Sequence, residues 1–179
     1  MKGMFVLKSE ICLFDNVEDF LRKENVNEND LIITNRFIFD DKYKTSAHLI
    51  FQEEYGKGEP TDVMVESIRK DIPSNIKKII AIGGGTVIDI SKFLILDYDG
   101  KIDQVINREI PFNKVRSLYV VPTTVGTGSE VTNVAICEMI ERKTKKGLAD
   151  DLIYPDKLGI LQRGLSSTMT INDNVYTRT

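Results

Sequence analysis

Histidine is nearly absent from this 179-residue chain, which contains only His48, and tryptophan is absent altogether. A catalytic centre or a metal site that needs several imidazoles cannot be assembled from these residues alone. In a strand pattern, His48 is expected to pack with one ring nitrogen satisfied. The two cysteines, Cys12 and Cys137, are far apart and lie in apolar strand-like runs. We expect two buried thiols in a reducing cytoplasm, with a disulfide as the less favoured alternative.

Long apolar runs are also missing, so the sequence predicts no membrane-spanning helix, and no signal peptide opens the chain. The 24 basic and 27 acidic residues give a net charge of −3, which argues against nucleic acid or an anionic membrane as the main partner. An apolar content of 41% and a charged content of 28% are typical of a soluble globular protein. We therefore expect a cytoplasmic protein with one full domain or two small ones.

The most informative stretch is residues 78–94. A short β-branched run is followed by apolar residues at 87, 88, 90, 93 and 94, which predicts a buried strand and then a largely buried helix. Three consecutive glycines, residues 83–85, separate them. Bare backbone at a helix N-terminus is typical of a phosphate site, because an anion can approach the peptide N–H groups. The alternative is a tight turn that needs positive φ, since neither the dinucleotide fingerprint nor the P-loop pattern is complete.

Strands and helices alternate along the rest of the chain. This pattern predicts an α/β fold with a Rossmann-like parallel sheet flanked by helices. Residues 4–14 are expected to form an N-terminal edge hairpin or one bent edge strand. We assign residues 1–161 to a nucleotide-binding α/β domain and residues 162–179 to a polar tail, frayed or disordered. The expected strands are 31–34, 47–51, 117–121 and 131–140, followed by a last apolar fragment, 158–161. The expected helices run from Asp15 or Asn16 to 24, over 36–46, and from Pro60 or Thr61 to 72.

Three segments with binding chemistry follow predicted strands: Asn35, the glycine turn and the loop of residues 123–130. Ligands of parallel sheets bind outside the carboxyl ends of the strands, so we expect these segments to meet at one edge. The loop offers hydroxyls and backbone N–H groups, which suit a nucleotide or a nicotinamide carboxamide. Its alternative role is a turn capped by local side-chain hydrogen bonds. Asp89 likewise has the alternative role of a first-turn carboxylate favoured by the helix dipole.

Two motifs resemble a known family. I-G-G-G-T-x-x-D over residues 82–89 and P-T-T-x-G-T-G-S-E over residues 122–130 resemble the cofactor-side signatures of iron-containing (group III) alcohol dehydrogenases. The second motif is long and specific, and it separates the chain from dehydroquinate synthases. Finer features resemble the clostridial 4-hydroxybutyrate dehydrogenases: F-Q-E-x-Y-G-x-G-E-P over residues 51–60, E-V-T-N-V over 130–134 and T-K-K-G over 144–147.

The resemblance implies NAD as the cofactor. The cofactor-binding residues that it implies are Gly84, Gly85, Thr86 and Asp89 for the pyrophosphate, Thr123, Thr124, Thr127, Ser129 and Thr132 for the adenine and nicotinamide-ribose region, and Lys145 for a ribose hydroxyl. Asn35 stands where many members carry an Asp that contacts the adenosine ribose. Because Arg36 lies beside it and could accept a 2′-phosphate, NADP stays open.

The resemblance also implies hydride transfer between a nicotinamide cofactor and an alcohol or aldehyde, 4-hydroxybutyrate to succinate semialdehyde in the complete enzyme. Family members are about twice this length, with a second helical domain in which an Asp and three His bind Fe²⁺ or Zn²⁺. No matching segment follows residue 161, so no catalytic or metal-binding residue is assigned and this chain alone is expected to be inactive. A homodimer is left open. The alternative function is a non-catalytic nucleotide-binding module or a regulatory subunit.

Overall fold

A parallel sheet of six strands forms the centre of the protein. The computed structural model describes residues 7–39, 43–124 and 126–162. The strands found there are β1 (Glu10–Phe14), β2 (Asp30–Thr34), β3 (His48–Phe51), β4 (Lys78–Gly83), β5 (Leu96–Asp97), β6 (Asn113–Lys114), β7 (Ser117–Pro122), β8 (Val134–Met139), β9 (Thr144–Ala149) and β10 (Lys157–Leu161). The main sheet has the order β1-β10-β7-β4-β2-β3, and each neighbouring pair is parallel. This confirms the predicted Rossmann-like sheet.

Apolar side chains cover both faces of this sheet, as its β-branched central strands require. On β4, Ile79 and Ala81 pack on one face, and Ile80 and Ile82 pack on the other. The first face is covered mainly by α2 (Asp62–Asp71), α3 (Gly85–Leu94) and α4 (Ile102–Ile106), and the second by α1 (Val17–Lys23). The glycine turn therefore follows a central strand whose side chains are packed on both faces of the sheet.

Side-chain caps fix the starts of two helices. The side chain of Asn16 accepts a hydrogen bond from the Asp19 N–H at 2.9 Å, so Asn16 rather than Asp15 caps α1. Thr61 accepts from the Met64 N–H at 3.1 Å and caps α2. Each cap satisfies one of the helix N–H groups that have no partner within the helix, which is why the sequence locates these two starts well.

An antiparallel hairpin of β8 and β9 lies outside the main sheet. Its inner residues Ala135, Cys137 and Leu148 join the core on the α3 side of the sheet. Both cysteines are free; Cys137 is buried, which raises the pKa of its thiol to about 12, whereas Cys12 is only half-buried. The expectation of free thiols is confirmed, although that of full burial holds for Cys137 alone. Within the described residues, no helix is long and apolar enough to cross a membrane.

Some local predictions were wrong. A helix was expected over residues 36–46, but the described part of this segment has none. The N–H groups of Ile38 and Phe39 donate to the Asn35 carbonyl in a turn, and both side chains are buried in the core from there. The sequence analysis assigns no helix after α3, where the structure has α4, because its five residues are too few to show a helical period. His48 is exposed on β3 rather than packed.

Both ends of the chain extend beyond the described residues. Part of the first arm of the expected N-terminal hairpin, residues 4–6, lies there, while its second arm forms β1, which pairs in parallel with β10. Residues 163–179 of the expected tail also lie outside, so the domain boundary at residue 161 stays a prediction.

We expect Ile80→Ala to lower the free energy of unfolding by about 2–5 kcal/mol, because the side chain is fully buried in β4 and its removal leaves a cavity. The matched control is Ile11→Ala on β1, where the side chain is 50% exposed, which should cost about 1 kcal/mol or less. Urea unfolding followed by circular dichroism gives both values. Equal losses in the two variants would contradict the placement of β4 at the centre of the sheet.

Candidate nucleotide-binding site

The glycine turn and the hydroxyl loop, residues 123–130, meet at the carboxyl edge of the sheet. Gly83, the last residue of β4, lies opposite Pro122, the last residue of β7. The Thr123 N–H then donates to the Gly83 carbonyl at 3.0 Å. Because β2 flanks β4 on its other side, Asn35 reaches the same edge. The three segments expected to converge are therefore brought together.

The glycines are required by this close approach. A Cβ on Gly84 would lie 3.0 Å from Thr124 Oγ1, and one on Gly85 would lie 2.9 Å from Thr127 Cγ2. Gly84 has φ −82°, and none of residues 83–85, all within the described part, adopts a positive φ. The alternative interpretation, a turn that needs positive φ, is therefore wrong. Bare backbone is needed here because threonine side chains press against it.

α3 begins at Gly85, and its first N–H groups point out of the end of the helix. Gly84 occupies the N-cap position and has no side chain to satisfy them. The partial positive charge of the helix end and these donors favour an anion. Thr86, in the first turn, donates through Oγ1 to the Gly58 carbonyl at 3.2 Å, which attaches the loop after β3 to the same end of the helix.

Several hydroxyls surround this helix end. Thr123 is buried, and no hydrogen-bonding group among the described residues reaches its Oγ1; the same holds for Thr34 Oγ1 at the end of β2. Thr124 and Thr127 are exposed, and the Ser129 N–H donates to Thr127 Oγ1 at 3.3 Å. Buried hydroxyls are rarely left without a partner, so orphaned hydroxyls beside a helix N-terminus fit a site that a polar ligand completes.

A buried charged cluster supports the hydroxyl loop from α3. Lys92 is fully buried, and its Nζ donates to the Val134 carbonyl at 2.7 Å and to Thr132 Oγ1 at 3.4 Å. Asp89 is also buried, and its Oδ2 accepts a hydrogen bond from the Ile136 N–H at 3.2 Å. Asp89 and Thr132 thus contact the hairpin and Lys92 in this structure. The sequence analysis missed Lys92, although a lysine three residues after Asp89 on an apolar helix was a signal for a buried pair.

Burial shifts the pKa values in this cluster. Burial raises the pKa of Asp89, against the hydrogen bond from Ile136 and the charge of Lys92. Burial lowers the pKa of Lys92 to about 8, although the nearby carboxylates Asp89 and Glu130 favour its charged form. Glu130 is buried as well, and no hydrogen-bonding group of the described residues reaches its Oε2. The cluster therefore holds the loop by interactions that depend on the protonation of Lys92.

On the other side of the glycine turn, Asn35 contacts a carboxylate. Its Nδ2 donates to Glu53 Oε2 at 2.8 Å, and the Arg36 N–H donates to Glu53 Oε1 at 2.7 Å. Partial burial acts to raise the pKa of Glu53, but these hydrogen bonds outweigh it and hold the pKa below its ordinary value. The Arg36 guanidinium pairs with Glu54 and lies 4.2 Å from the centre of the Phe51 ring.

Lys145 is the expected site residue that lies furthest from the turn along the chain. It is exposed on β9, and its ammonium pairs with Glu59. The next residue, Pro60, accepts a hydrogen bond from the Glu138 N–H at 2.9 Å. The hairpin is therefore joined to the loop after β3, and Lys145 lies on this junction rather than at the glycine turn itself.

Across the described ranges, no group of three or more His, Cys, Asp or Glu side chains is arranged to hold a metal ion. No catalytic or metal-binding residue is assigned to this part of the chain. The buried cluster on α3 has only two carboxylates, those of Asp89 and Glu130, and the ammonium of Lys92 interacts with both. The groups found at this edge are backbone N–H groups and hydroxyls, which suit a ligand with an anionic group.

Comparison with known proteins identifies the fold at this edge. The family model of iron-containing alcohol dehydrogenases matches residues 12–160, most of the chain. The chain belongs to the iron-containing alcohol dehydrogenase family. The resemblance seen in the two sequence motifs is thus confirmed.

Two relatives of known function have a higher sequence identity to this chain than the two solved structures described below. The 4-hydroxybutyrate dehydrogenase of Clostridium kluyveri is 43% identical over 152 residues, which is 83% of this chain and 41% of that protein. The sulfoacetaldehyde reductase of Bilophila wadsworthia is 34% identical over 80 residues, 44% of this chain and 21% of that protein. The chain thus spans less than half the length of these two relatives.

Solved structures share the fold. The sulfoacetaldehyde reductase from Bifidobacterium kashiwanohense, in complex with NAD⁺, has a TM-score of 0.69 at 20% identity and covers 90% of this chain and 46% of its own. The NADH-dependent butanol dehydrogenase A from Thermotoga maritima has a TM-score of 0.71 at 17% identity, over 89% of this chain and 44% of its own. The six-stranded parallel sheet is therefore the N-terminal part of the family's fold.

The contribution of Lys92 to the stability of the protein should rise between about pH 8 and pH 10.5. The folded state holds this pKa at about 8, whereas an ordinary lysine titrates near 10.5, so the unfolded chain binds more protons in this window. The Lys92 contribution to the free energy of unfolding should increase there by an amount on the order of 2 kcal/mol, whereas the raised pKa of Cys137 acts on the total in the opposite direction. Urea unfolding at a series of pH values measures it.

Lys92→Met should remove this gain, so that the stability difference between wild type and variant shifts in favour of wild type as the pH rises. Lys70→Met, at an exposed position on α2, removes the same formal charge and is the matched control. It should leave the gain in place. An identical pH dependence in wild type and Lys92→Met would contradict the assignment.

Proposed function

We propose that this chain binds NAD at the glycine turn and forms the cofactor-binding part of an alcohol dehydrogenase. The observation that supports this most strongly is the contact between residues 84–85 and the threonines of the hydroxyl loop. This contact puts the hydroxyls of Thr124 and Thr127 beside the N-terminus of α3. A pyrophosphate suits this place because the first N–H groups of α3 can donate to it and the glycines carry no side chain that would block its approach.

The residues of the chain have separate tasks in this proposal. The N–H groups of Gly85 and Thr86 bind the pyrophosphate, and the hydroxyls of Thr123, Thr124 and Thr127 orient the two nucleoside halves. Lys92 and its carboxylates hold the loop in place beneath them. When bound, NAD supplies the acceptor for a hydride from the alcohol carbon. Ser129 and Lys145 bind on the hairpin side, Lys145 after release from Glu59.

For the complete enzyme we propose oxidation of 4-hydroxybutyrate to succinate semialdehyde. The support is the 43% identity to the Clostridium kluyveri 4-hydroxybutyrate dehydrogenase. The hydroxyacid-oxoacid transhydrogenase of Xenopus laevis, 36% identical over 112 residues, also acts on a hydroxy acid by its name. A divalent iron or zinc, the family's metal, would be held outside the described residues. A cytoplasmic location and a homodimer belong to the same proposal.

A second candidate is a nucleotide-binding module without its own catalysis. The observation that favours it is the lack of a metal-binding group in the described parts of the chain. Cofactor binding is common to both candidates, whereas turnover separates them. Two measurements are therefore needed, one of binding and one of metal and activity.

We expect Gly85→Val to weaken NAD⁺ binding by about a hundredfold or more. A Cβ at this position lies 2.9 Å from Thr127 Cγ2, so the branched side chain displaces the loop and occupies the space of the anion. Isothermal titration calorimetry measures the affinity of the wild type and the variant. Ala149→Val, at an exposed strand position on β9, is the control and should bind as the wild type does. Unchanged affinity in Gly85→Val would refute the site.

The purified 179-residue chain should contain no stoichiometric iron or zinc and should not reduce NAD⁺ with 4-hydroxybutyrate, even with added Fe²⁺. The reason is that several imidazoles are needed for a site of the family's type and the sequence supplies only His48, exposed on β3. Elemental analysis and absorbance at 340 nm check the two points. Stoichiometric metal together with turnover would contradict the prediction and favour the chain as an enzyme in its own right.

A further inference from the structure

The carboxylate of Glu53 lies beside Asn35, on the side of the glycine turn where β2 and β3 end. Thr34 at the end of β2 pairs with Phe51 at the end of β3, and Ile33 pairs with Ala81 of β4. Glu53 follows β3 by two residues and so stands at the same edge as the turn. Neighbouring strands are spaced by about 4.8 Å, which puts Glu53 about 10 Å across the edge from the turn. That span is within reach of a ribose joined to a pyrophosphate at α3.

In doubly wound sheets, the ribose hydroxyl of NAD is bound by an acidic side chain at the end of the strand next to the glycine strand. Here that position is Asn35, whose amide is neutral and repels no phosphate. Its Nδ2 donates to Glu53 Oε2 at 2.8 Å and to Gln52 Oε1 at 3.3 Å. Asn35 therefore positions a carboxylate that comes from the neighbouring strand.

Both oxygens of Glu53 keep the capacity to accept further hydrogen bonds. Oε2 accepts from Asn35, and Oε1 accepts from the Arg36 N–H at 2.7 Å. A carboxylate has about four acceptor positions, so room for a diol remains. These two hydrogen bonds also hold the carboxylate in one orientation at the edge of the sheet. A carboxylate that rotated freely would distinguish NAD from NADP less strongly.

The contacts of the Arg36 guanidinium keep it from binding a 2′-phosphate. Its Nε donates to Glu54 Oε1 at 3.1 Å, its Nη2 pairs with the same oxygen, and its guanidinium carbon lies 4.2 Å from the centre of the Phe51 ring. A phosphate would have to compete with Glu54 for this cation while it lies beside Glu53. Two carboxylates thus act against NADP at this edge.

We propose that Glu53 is the residue that selects NAD over NADP, by accepting hydrogen bonds from the adenosine ribose and by repelling a 2′-phosphate. Asn35 is its positioning residue, and Glu54 prevents Arg36 from serving as a phosphate-binding group. The proposal rests on the proposed function, since it requires that the pyrophosphate lies at α3.

The test is calorimetric titration of the 179-residue chain with NAD⁺ and with NADP⁺, in wild type and in Glu53→Gln. The dissociation constant for NADP⁺ divided by that for NAD⁺ should fall by about tenfold or more in the variant. The reason is that the variant loses both the charge-assisted hydrogen bond to the ribose and the repulsion of a 2′-phosphate. The matched control is Glu28→Gln, an exposed carboxylate just before β2, at the opposite edge of the sheet. It should keep the wild-type ratio.

Two more variants keep the test decisive if Glu53→Gln is poorly folded. Glu53→Asp retains the charge and should keep most of the preference for NAD. Glu54→Gln leaves Glu53 in place and frees Arg36, so it should bind NADP⁺ about tenfold more tightly than the wild type does.

The outcomes separate the two proposals. A wild-type chain that binds neither dinucleotide would refute the proposed function. A wild-type chain that binds NAD⁺, with the wild-type preference unchanged in Glu53→Gln and in Glu54→Gln, would refute the role of Glu53 and leave the proposed function standing. A lower ratio in Glu28→Gln as well would show a general effect of charge and would also overturn the role of Glu53.

Discussion

The contact between bare glycine backbone and threonine side chains determines how the carboxyl edge of this sheet is built. At residues 84 and 85 an added Cβ would meet the side chains of Thr124 and Thr127 at 3.0 Å or less. Because the loop lies this close, the hydroxyls of Thr124 and Thr127 stand beside the N-terminus of α3. Hydroxyls and unpaired helix N–H groups at one place favour an anion.

That contact depends on a buried support. The hydroxyl loop continues into the hairpin of β8 and β9, and Lys92 binds the segment between them through Thr132 and Val134. A buried ammonium beside two carboxylates is costly to desolvate and adds little net stability, but it favours one arrangement of the loop over others. A hydrophobic side chain would need less desolvation at this position. The buried lysine is therefore consistent with a role in fixing the position of the hydroxyl loop.

Sequence patterns predicted what local chemistry determines. The β-branched run of β4, the glycines after it and the caps at Asn16 and Thr61 each carry their own signal, and the structure has these elements close to where they were expected. The motif of residues 122–130 also identified the family, since its length makes a chance match rare. The convergence of the loops followed from the rule that parallel strands end at one edge.

Other features were not predictable because they depend on packing between distant segments. The reason for the glycines could not be derived from the sequence, since the threonines that press on them lie about forty residues later. The same holds for Glu53, which meets Asn35 only because β2 and β3 are neighbours. A helix was expected over residues 36–46, whereas Ile38 and Phe39 reach the core from a turn after Asn35.

The central claim is that a dinucleotide binds at the contact of the glycine turn with the hydroxyl loop. Nuclear magnetic resonance of the ¹⁵N-labelled chain, titrated with NAD⁺, tests it most directly. The account predicts that the largest shifts occur at the amides of Gly84, Gly85 and Thr86 and in residues 123–129, with none at the opposite edge around Glu28. Shifts that cluster elsewhere, or the absence of any shift at millimolar NAD⁺, would contradict it.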